Sequence, residues 1–189
     1  MFLVTGSLND WLPPSSLRSL TLISCDLHPL TSHVIPAPCA DGDHEAVRES
    51  RNWARITYLR FSLCLPQQII QVISLFSSVT CLELSHSNVS DSDLTSLLPS
   101  LPPLLTAIDL SHNPLSSLPL RNLLLSTPLL QSLAFIGCRF SPSSLTSTAE
   151  AIRGHPNLCS IAMQVDGSAS AVRLLQVPIV LKIVLYPGF

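Results

Sequence analysis

Charged side chains are scarce in this sequence. Its 189 residues include 10 Lys and Arg and 12 Asp and Glu, so the formal net charge is −2 and only 12% of the residues are charged. No excess of either sign is available to attract nucleic acid or another polyanion. Because apolar residues make up 47%, the surface must rely on uncharged polar side chains. We expect limited solubility of the isolated chain or a large contact with another molecule.

The sequence also has no apolar run long enough for a membrane span. A spanning helix needs about 20 apolar residues, whereas VPIVLKIVL at 177–185 is much shorter and contains Lys182. The N-terminal MFLVTGSLNDW has neither the basic start nor the apolar length of a signal peptide. Six cysteines would allow disulfides, but nothing else indicates export. We therefore expect reduced thiols and a cytoplasmic location.

What the sequence does contain is an internal repeat. The template is aliphatic-x-x-aliphatic-x-aliphatic-x-x-(Asn/Cys/Ser)-x-apolar, with Phe admitted at the third apolar position. Its copies are Leu17, Leu20, Leu22, Cys25 and Leu27; Ile56, Leu59, Phe61, Cys64 and Pro66; Val79, Leu82, Leu84, Ser87 and Val89; Leu105, Ile108, Leu110, Asn113 and Leu115; and Leu130, Leu133, Phe135, Cys138 and Phe140. Weaker copies are Leu158, Ile161 and Met163, then Val180, Ile183 and Leu185.

The spacing of these copies is regular. From Ile56 onward their starts are separated by 23, 26, 25, 28 and 22 residues, after a first interval of 39. This pattern resembles the leucine-rich repeat family, whose repeats span about 20–29 residues, and its ribonuclease-inhibitor-like class. The resemblance implies a right-handed α/β solenoid, or horseshoe, with a parallel sheet on the concave side and mostly helices on the convex side. We expect a single domain over 1–189 with about six or seven repeats.

The second halves of the repeats read as helices. Gln67 to Ser77, the run after Ser90, and Ser117 to Ser126 have helical patterns, and Ser141 to Gly154 has a polar start, Pro at the next position and a terminal Gly. The long first interval predicts a Pro-rich insertion at 28–42, followed by a helix from Asp43 to Ala54. Pro99 and Pro119 should shorten their helices.

The polar position of the template departs from the family pattern. Asn occupies it only at Asn113, while Cys occupies it in three repeats and Ser in one. This residue normally closes the turn by hydrogen bonds to the backbone, and a thiol does so weakly. We expect looser turns at Cys25, Cys64 and Cys138.

An acid, a serine and a histidine occur together twice, in the phrases Glu83-Leu-Ser85-His86 and Asp109-Leu-Ser111-His112. Side chains alternate along a strand, so the acid and the serine share one face and the histidine, in the turn, faces away. A catalytic triad needs the imidazole within reach of both partners. We therefore interpret the phrase as a structural repeat and predict no enzymatic activity.

The same alternation predicts the side chains that line the concave face. Neighbouring parallel strands lie about 4.8 Å apart, so equivalent positions form rows. The predicted partner-binding residues are Tyr58, Arg60, Glu83, Ser85, Asp109 and Ser111. Arg60 can pair with Glu83, which leaves Asp109 as spare negative charge. The alternative interpretation is an ordinary exposed ion pair of little consequence.

The resemblance implies a non-enzymatic module that binds a protein partner through the concave face, with no cofactor. Two alternatives stay open. A regulator of a small GTPase would need an acidic face and a protruding basic residue, and the sequence has no acidic run. A zinc-dependent structural element at 25–44 would use Cys25, His28, His33, Cys39 and His44, but their spacing matches no common zinc motif.

The C-terminal segment VRLLQVPIVLKIVLYPGF is strongly apolar and predicts one more strand. Val180, Ile183 and Leu185 would face the core, with Leu181 and Val184 on the other side. An unpaired apolar edge favours association. We expect this edge to contact a partner or a second copy, or the chain to be a shortened member of a longer array.

Overall fold

The computed structural model describes residues 2–7, 13–31, 52–116, 118–138, 150–165 and 182–187. Its described strands form one sheet of eight, in the order of the chain, and every neighbouring pair is parallel. The strands are β1 Phe2–Ser7, β2 Ser19–Asp26, β3 Tyr58–Ser62, β4 Cys81–Glu83, β5 Ala107–Asp109, β6 Ser132–Phe135, β7 Ser160–Val165 and β8 Lys182–Pro187. Because each strand pairs only with its sequence neighbours, the chain is an α/β solenoid, as predicted.

Helices connect the strands on one side of the sheet. They are α1 His28–Thr31, α2 Pro66–Val72, α3 Asp91–Leu97 and α4 Leu118–Ser126, and residues 150–154 are also helical. Short 3-10 turns, Ile73–Leu75 and Leu98–Ser100, extend α2 and α3. Pro99 lies in the second of these turns, so α3 ends before it as expected. Pro119 is instead accommodated near the start of α4, where its missing N–H costs nothing.

The segment between the first two repeats differs from the prediction in the part that the structure describes. The Pro-rich loop was expected from residue 28, but His28–Thr31 form a short helix. The side chain of Asp26 accepts a hydrogen bond from the His28 N–H (3.0 Å), which supports a helical turn immediately after β2. The rest of the loop and most of the helix predicted from Asp43 to Ala54 lie outside the described residues.

The start of α3 shows how the sequence sets a helix boundary. Ser90 accepts a hydrogen bond from the Asp93 N–H, and the Asp93 carboxylate accepts one from the Ser90 N–H. This capping box satisfies two amides that the first helical turn leaves free. Asp91 and Asp93 also place negative charge in that turn, which the helix dipole favours.

The template residues form one continuous core between the sheet and the helices. Leu20, Leu59, Leu82, Leu133 and Ile161 are fully buried at the second template position. Aromatic side chains fill the space near the long interval, where Trp53 and Phe61 each contact Phe76 edge to face, with ring centroids 5.5 and 6.2 Å apart. The predicted core assignment of the strand halves is confirmed.

The first strand was not predicted. β1 pairs with β2 so that Phe2 lies opposite Leu20 and Val4 opposite Leu22. The sheet therefore has one strand more than the copies found from Leu17 onward. Phe2 and Leu3 are 41% and 56% exposed, so β1 buries much less apolar surface than the strands beside it.

In five successive repeats a left-handed residue stands immediately before the polar position of the template. These residues are Ser24, Leu63, His86, His112 and Gly137. Among the described residues, Gly6 and Asn88 also have positive φ. The left-handed conformation costs a residue other than Gly about 1–2 kcal/mol, so these turns need interactions that hold them.

The polar-position side chains provide those interactions. Each hydrogen-bonds to a backbone carbonyl of the preceding repeat: Cys25 to Val4 (3.2 Å), Cys64 to Leu22 (3.6 Å), Ser87 to Phe61 (3.2 Å), Asn113 to Leu84 (2.8 Å) and Cys138 to Leu110 (3.4 Å). We call this series the turn ladder. Asn113 also donates to the carbonyl of Leu110 and accepts from the N–H of Val89. Compared with Asn113, each thiol makes one longer bond to the preceding repeat, while the looser turns expected at these cysteines stay a prediction.

We predict that Asn113→Ala lowers the free energy of unfolding by about 2–4 kcal/mol, because it strands a buried carbonyl and a buried amide, each costing about 1–3 kcal/mol. Cys138→Ala removes one weak S–H bond and should cost less than about 1 kcal/mol. Urea unfolding followed by circular dichroism measures both. Equal losses would show that the turn ladder does not depend on the residue that fills it.

We predict that Leu110→Asp unfolds the protein, because Leu110 is fully buried and an unpaired charge in the core costs several kcal/mol. Asp109→Ala, at the adjacent position on the opposite face, should leave stability nearly unchanged. Thermal melts of the two variants are the test. Similar melting of both would contradict the assignment of these faces.

Candidate functional site

The side of the sheet opposite the core, which we call the open face, carries the predicted polar cluster. Strand register places Arg60 opposite Glu83 and Glu83 opposite Asp109, while Tyr58 lies opposite Cys81. All five side chains are partly buried: they are more exposed than the core residues and less exposed than open surface residues. The rows predicted from side-chain alternation are therefore present in three consecutive strands, β3 to β5.

Arg60 and Glu83 form an ion pair. The Arg60 Nε lies 3.5 Å from the Glu83 Oε2, and the side chains are 36% and 26% exposed. The two atoms are close enough for an ion pair, but the Arg60 Nε–H does not form a hydrogen bond within the described part of the chain. Solvent screens a pair of this exposure, so it contributes less than about 1 kcal/mol to stability. Its main effect is to fix the position of the guanidinium group on the open face.

Tyr58 joins this pair through Glu83. Partial burial, a hydrogen bond from the phenol to the Glu83 carboxylate and the negative charge of Glu83 together raise the pKa of Tyr58 to about 12. The phenol therefore stays protonated and remains a donor through the neutral pH range.

Asp109 lies at the far end of the row. Its Oδ1 accepts a hydrogen bond from the Ser111 N–H (2.8 Å), and among the described residues it has no ion-pair partner. Arg60 offsets one of the two carboxylates, so the row from Arg60 to Asp109 keeps one negative charge.

Burial raises the pKa of the Cys81 thiol, and the negative charges of Glu83 and Asp109 raise it further. The thiol is therefore a poor nucleophile.

Beyond Asp109 the open face is lined by small side chains. Ala107 and Asp109 of β5 pair with Ser132 and Ala134 of β6. These in turn pair with Ser160 and Ala162 of β7. A charged and aromatic ridge on β3 to β5 thus borders a shallow floor on β5 to β7. Partner-binding residues were predicted for the ridge, but not for this floor.

Ser85 and Ser111 offer little surface to a partner, unlike the prediction for them. They are only 7% and 4% exposed. The Ser111 Oγ accepts a hydrogen bond from the Ile136 N–H (3.0 Å). Of the residues predicted to bind a partner, Tyr58, Arg60, Glu83 and Asp109 are the ones with accessible side chains.

The acid, serine and histidine residues do not form triads in the structure. Asp109 bonds to the backbone of Ser111, and the hydroxyl of Ser111 bonds to the backbone of Ile136. His86 and His112 instead stack on each other, with ring centroids 4.2 Å apart. Among the described residues, no histidine ring hydrogen-bonds to either serine.

The zinc alternative at 25–44 can be compared with the structure at two residues. Cys25 is buried in the turn ladder, with its Sγ bonded to the Val4 carbonyl, while His28 lies exposed in α1. Burial raises the pKa of the Cys25 thiol, which disfavours the thiolate that zinc needs. His33, Cys39 and His44 lie outside the described residues.

Comparisons with known proteins identify the fold. No protein-family model matches the chain, and no curated protein matches it in sequence. Among solved structures, the leucine-rich repeat-containing protein LegL7 from Legionella pneumophila aligns with a TM-score of 0.55 at 19% identity, over 93% of this chain and 67% of that one. This chain has the leucine-rich repeat fold.

A second similar structure is the leiomodin-1 actin-binding site 2. It aligns with a TM-score of 0.53 at 12% identity, over 72% of this chain and 89% of that chain. At these identities the likeness concerns the leucine-rich repeat fold alone. In the described part of the chain, no helix has both the length and the apolarity required to cross a bilayer.

We predict that Tyr58 titrates near pH 12, about two units above an ordinary tyrosine. Since the folded protein then holds this proton more tightly than the unfolded chain, its contribution to stability is complete below about pH 10 and is lost as the pH rises toward 12. The difference in absorbance at 295 nm between wild type and Tyr58→Phe measures the titration. A midpoint near pH 10 would contradict the hydrogen bond to Glu83, and Glu83→Gln should lower the midpoint.

Proposed function

We propose that this chain is a non-enzymatic protein-interaction module that binds a protein partner through its open face. The observation that carries the proposal is the ridge of Tyr58, Arg60, Glu83 and Asp109 beside the small-residue floor on β5 to β7. A ridge next to a floor offers polar anchors and room for a partner segment, and the open faces of solenoids are extended binding surfaces.

The side chains of the ridge are suited to recognition. Tyr and Arg are enriched among the residues that contribute most to protein interfaces. Asp109 supplies the negative charge that Arg60 does not offset, so a partner with a Lys or Arg at this point has the complementary charge. Partly buried side chains held by an ion pair and a hydrogen bond also lose less freedom on binding than extended exposed ones.

A comparison of matched variants tests the proposal. Ala134→Arg puts bulk and a positive charge on the floor of the open face, and Asn122→Arg puts the same side chain on an exposed position of α4. Both proteins, with wild type, are used to capture partners from a cell extract, followed by quantitative mass spectrometry. We expect Ala134→Arg to lose at least about 90% of the specifically captured protein, because the insertion of a charge into a contact surface costs several kcal/mol, and Asn122→Arg to retain it.

Equal capture by the two variants would contradict binding through the open face. The captured protein is then titrated against wild type, Asp109→Asn and Tyr58→Phe to measure the share of each ridge residue. Purified actin is tested separately as a candidate partner, because the similar leiomodin-1 structure is an actin-binding site. Sedimentation with actin filaments and with monomeric actin tests it without a lysate.

The following predictions from the sequence are kept as part of this proposal. Self-association through the C-terminal strand rests on β8, which pairs with β7 so that Ile183 lies opposite Ile161 and Leu185 opposite Met163. Among the described strands, none pairs with the other side of β8. A cytoplasmic location also stays a prediction, as does the absence of nucleic acid, membrane and cofactor among its partners.

A further inference from the structure

His86 and His112 form a cluster that the proposed partner site does not use. His86 follows β4 and His112 follows β5 at the same position of consecutive repeats, and both side chains are exposed. Their rings are 9° from parallel, with centroids 4.2 Å apart. Within the described residues, neither ring takes part in a hydrogen bond or an ion pair. Both rings therefore have nitrogens available to a ligand.

Hydrogen bonds between repeats hold the backbone at both histidines. Each has a left-handed conformation with φ of 58°. The His86 N–H donates to the Ser111 carbonyl (3.2 Å), and the His112 N–H donates to the Ile136 carbonyl (2.6 Å). The ring of His112 lies against Gly137, where a Cβ would be 2.7 Å from its Nδ1. A side chain at position 137 would displace the His112 ring, and Gly137 leaves room for it.

We propose that His86 and His112 together bind one divalent transition-metal ion, each through one ring nitrogen. A metal–nitrogen bond is about 2.0–2.1 Å, so the two nitrogens must lie about 2.9–3.4 Å apart for the angles that these ions prefer. Chelation therefore requires side-chain rotations that tilt the two stacked rings toward one ion, and both side chains are exposed. Imidazole nitrogen suits Cu²⁺, Ni²⁺ and Zn²⁺.

The site has two protein ligands, with water in the other positions. In the described part of the chain, no group of three or more His, Cys, Asp or Glu side chains is placed to hold a metal. Binding is therefore weaker than in a closed structural zinc site, and the ion exchanges with solvent. Because the ligands come from consecutive repeats, the bound ion links the two turns next to Glu83 and Asp109.

The test uses reduced protein without a polyhistidine tag, titrated with Ni²⁺ and followed by NMR of the histidine ring protons, which a bound paramagnetic ion broadens. We expect the signals of His86 and His112 to broaden together, before those of the other histidines, at one ion per chain. His155 serves as an internal control, since it is buried and its two nitrogens bond to Thr127 and Leu158. Calorimetry gives the affinity.

Single variants separate a chelate from two independent histidines. His86→Asn and His112→Asn should each weaken Ni²⁺ binding at least about tenfold, because the second contact is intramolecular and is lost with either ligand. Asn tolerates the left-handed conformation, so both variants should fold, which circular dichroism checks. Asn122→Ala, at an exposed position of α4, leaves every histidine in place, so it is the control and should change nothing.

Two results would overturn the inference. The first is a Ni²⁺ affinity of His86→Asn equal to that of wild type, because each ring would then bind the ion alone. The second is broadening that starts at His28 or another histidine while the stacked pair stays sharp. Ni²⁺ should also raise the melting temperature of wild type and not that of either Asn variant, and an equal rise in all three would count against the link between repeats.

Discussion

The structure depends on how each repeat satisfies the carbonyl at the end of its strand. Beyond Glu83 and Asp109, backbone bonds between the repeats continue as far as the N–H groups of His86 and His112, where the chain enters a left-handed turn. The carbonyl of Leu84 then bonds to the side chain of Asn113 in the next repeat, and the carbonyl of Phe61 bonds to Ser87. A buried carbonyl without a partner costs about 1–3 kcal/mol. The turn ladder removes this cost at each junction and fixes the register between repeats.

The same constraint decides what the open face can present. The charged row ends with Glu83 and Asp109, and the serines that follow are buried, at 7% and 4% exposure. The histidines that follow occupy the left-handed position, and their rings stack on each other. The repeated phrase therefore contributes a charged residue to the open face and an imidazole to the stacked pair.

The sequence was informative where periodicity alone decides the structure. Alternation along strands was enough to predict the row of Arg60, Glu83 and Asp109 and the burial of the template leucines, since both follow from a parallel stack of strands. It could not predict the left-handed turns at His86 and His112, because a positive φ at a histidine leaves no mark in the periodicity. Nor did it find β1, in which Gly6 and Ser7 replace the pattern that marks the other strands. The ladder of Thr57, Thr80 and Thr106 hydroxyls, each bonded to the preceding repeat, was also missed.

Side-chain hydrogen bonds cross-link the repeats that carry the candidate sites. Asn113 makes its several bonds beneath β4 and β5, while Cys25, Cys64 and Cys138 hold neighbouring turns by single S–H bonds to the preceding repeat. On the helix side, Asp91 accepts bonds from the N–H and hydroxyl of Ser116, and Gln67 bonds to Asp93. These contacts join the repeats of β3, β4 and β5, which carry the ridge and the stacked histidines. A surface held by its scaffold in one arrangement loses little freedom when a partner or an ion binds. The side chains of Asn113, Asp91 and Asp93 thus connect the three repeats that carry the proposed ridge and the stacked histidines.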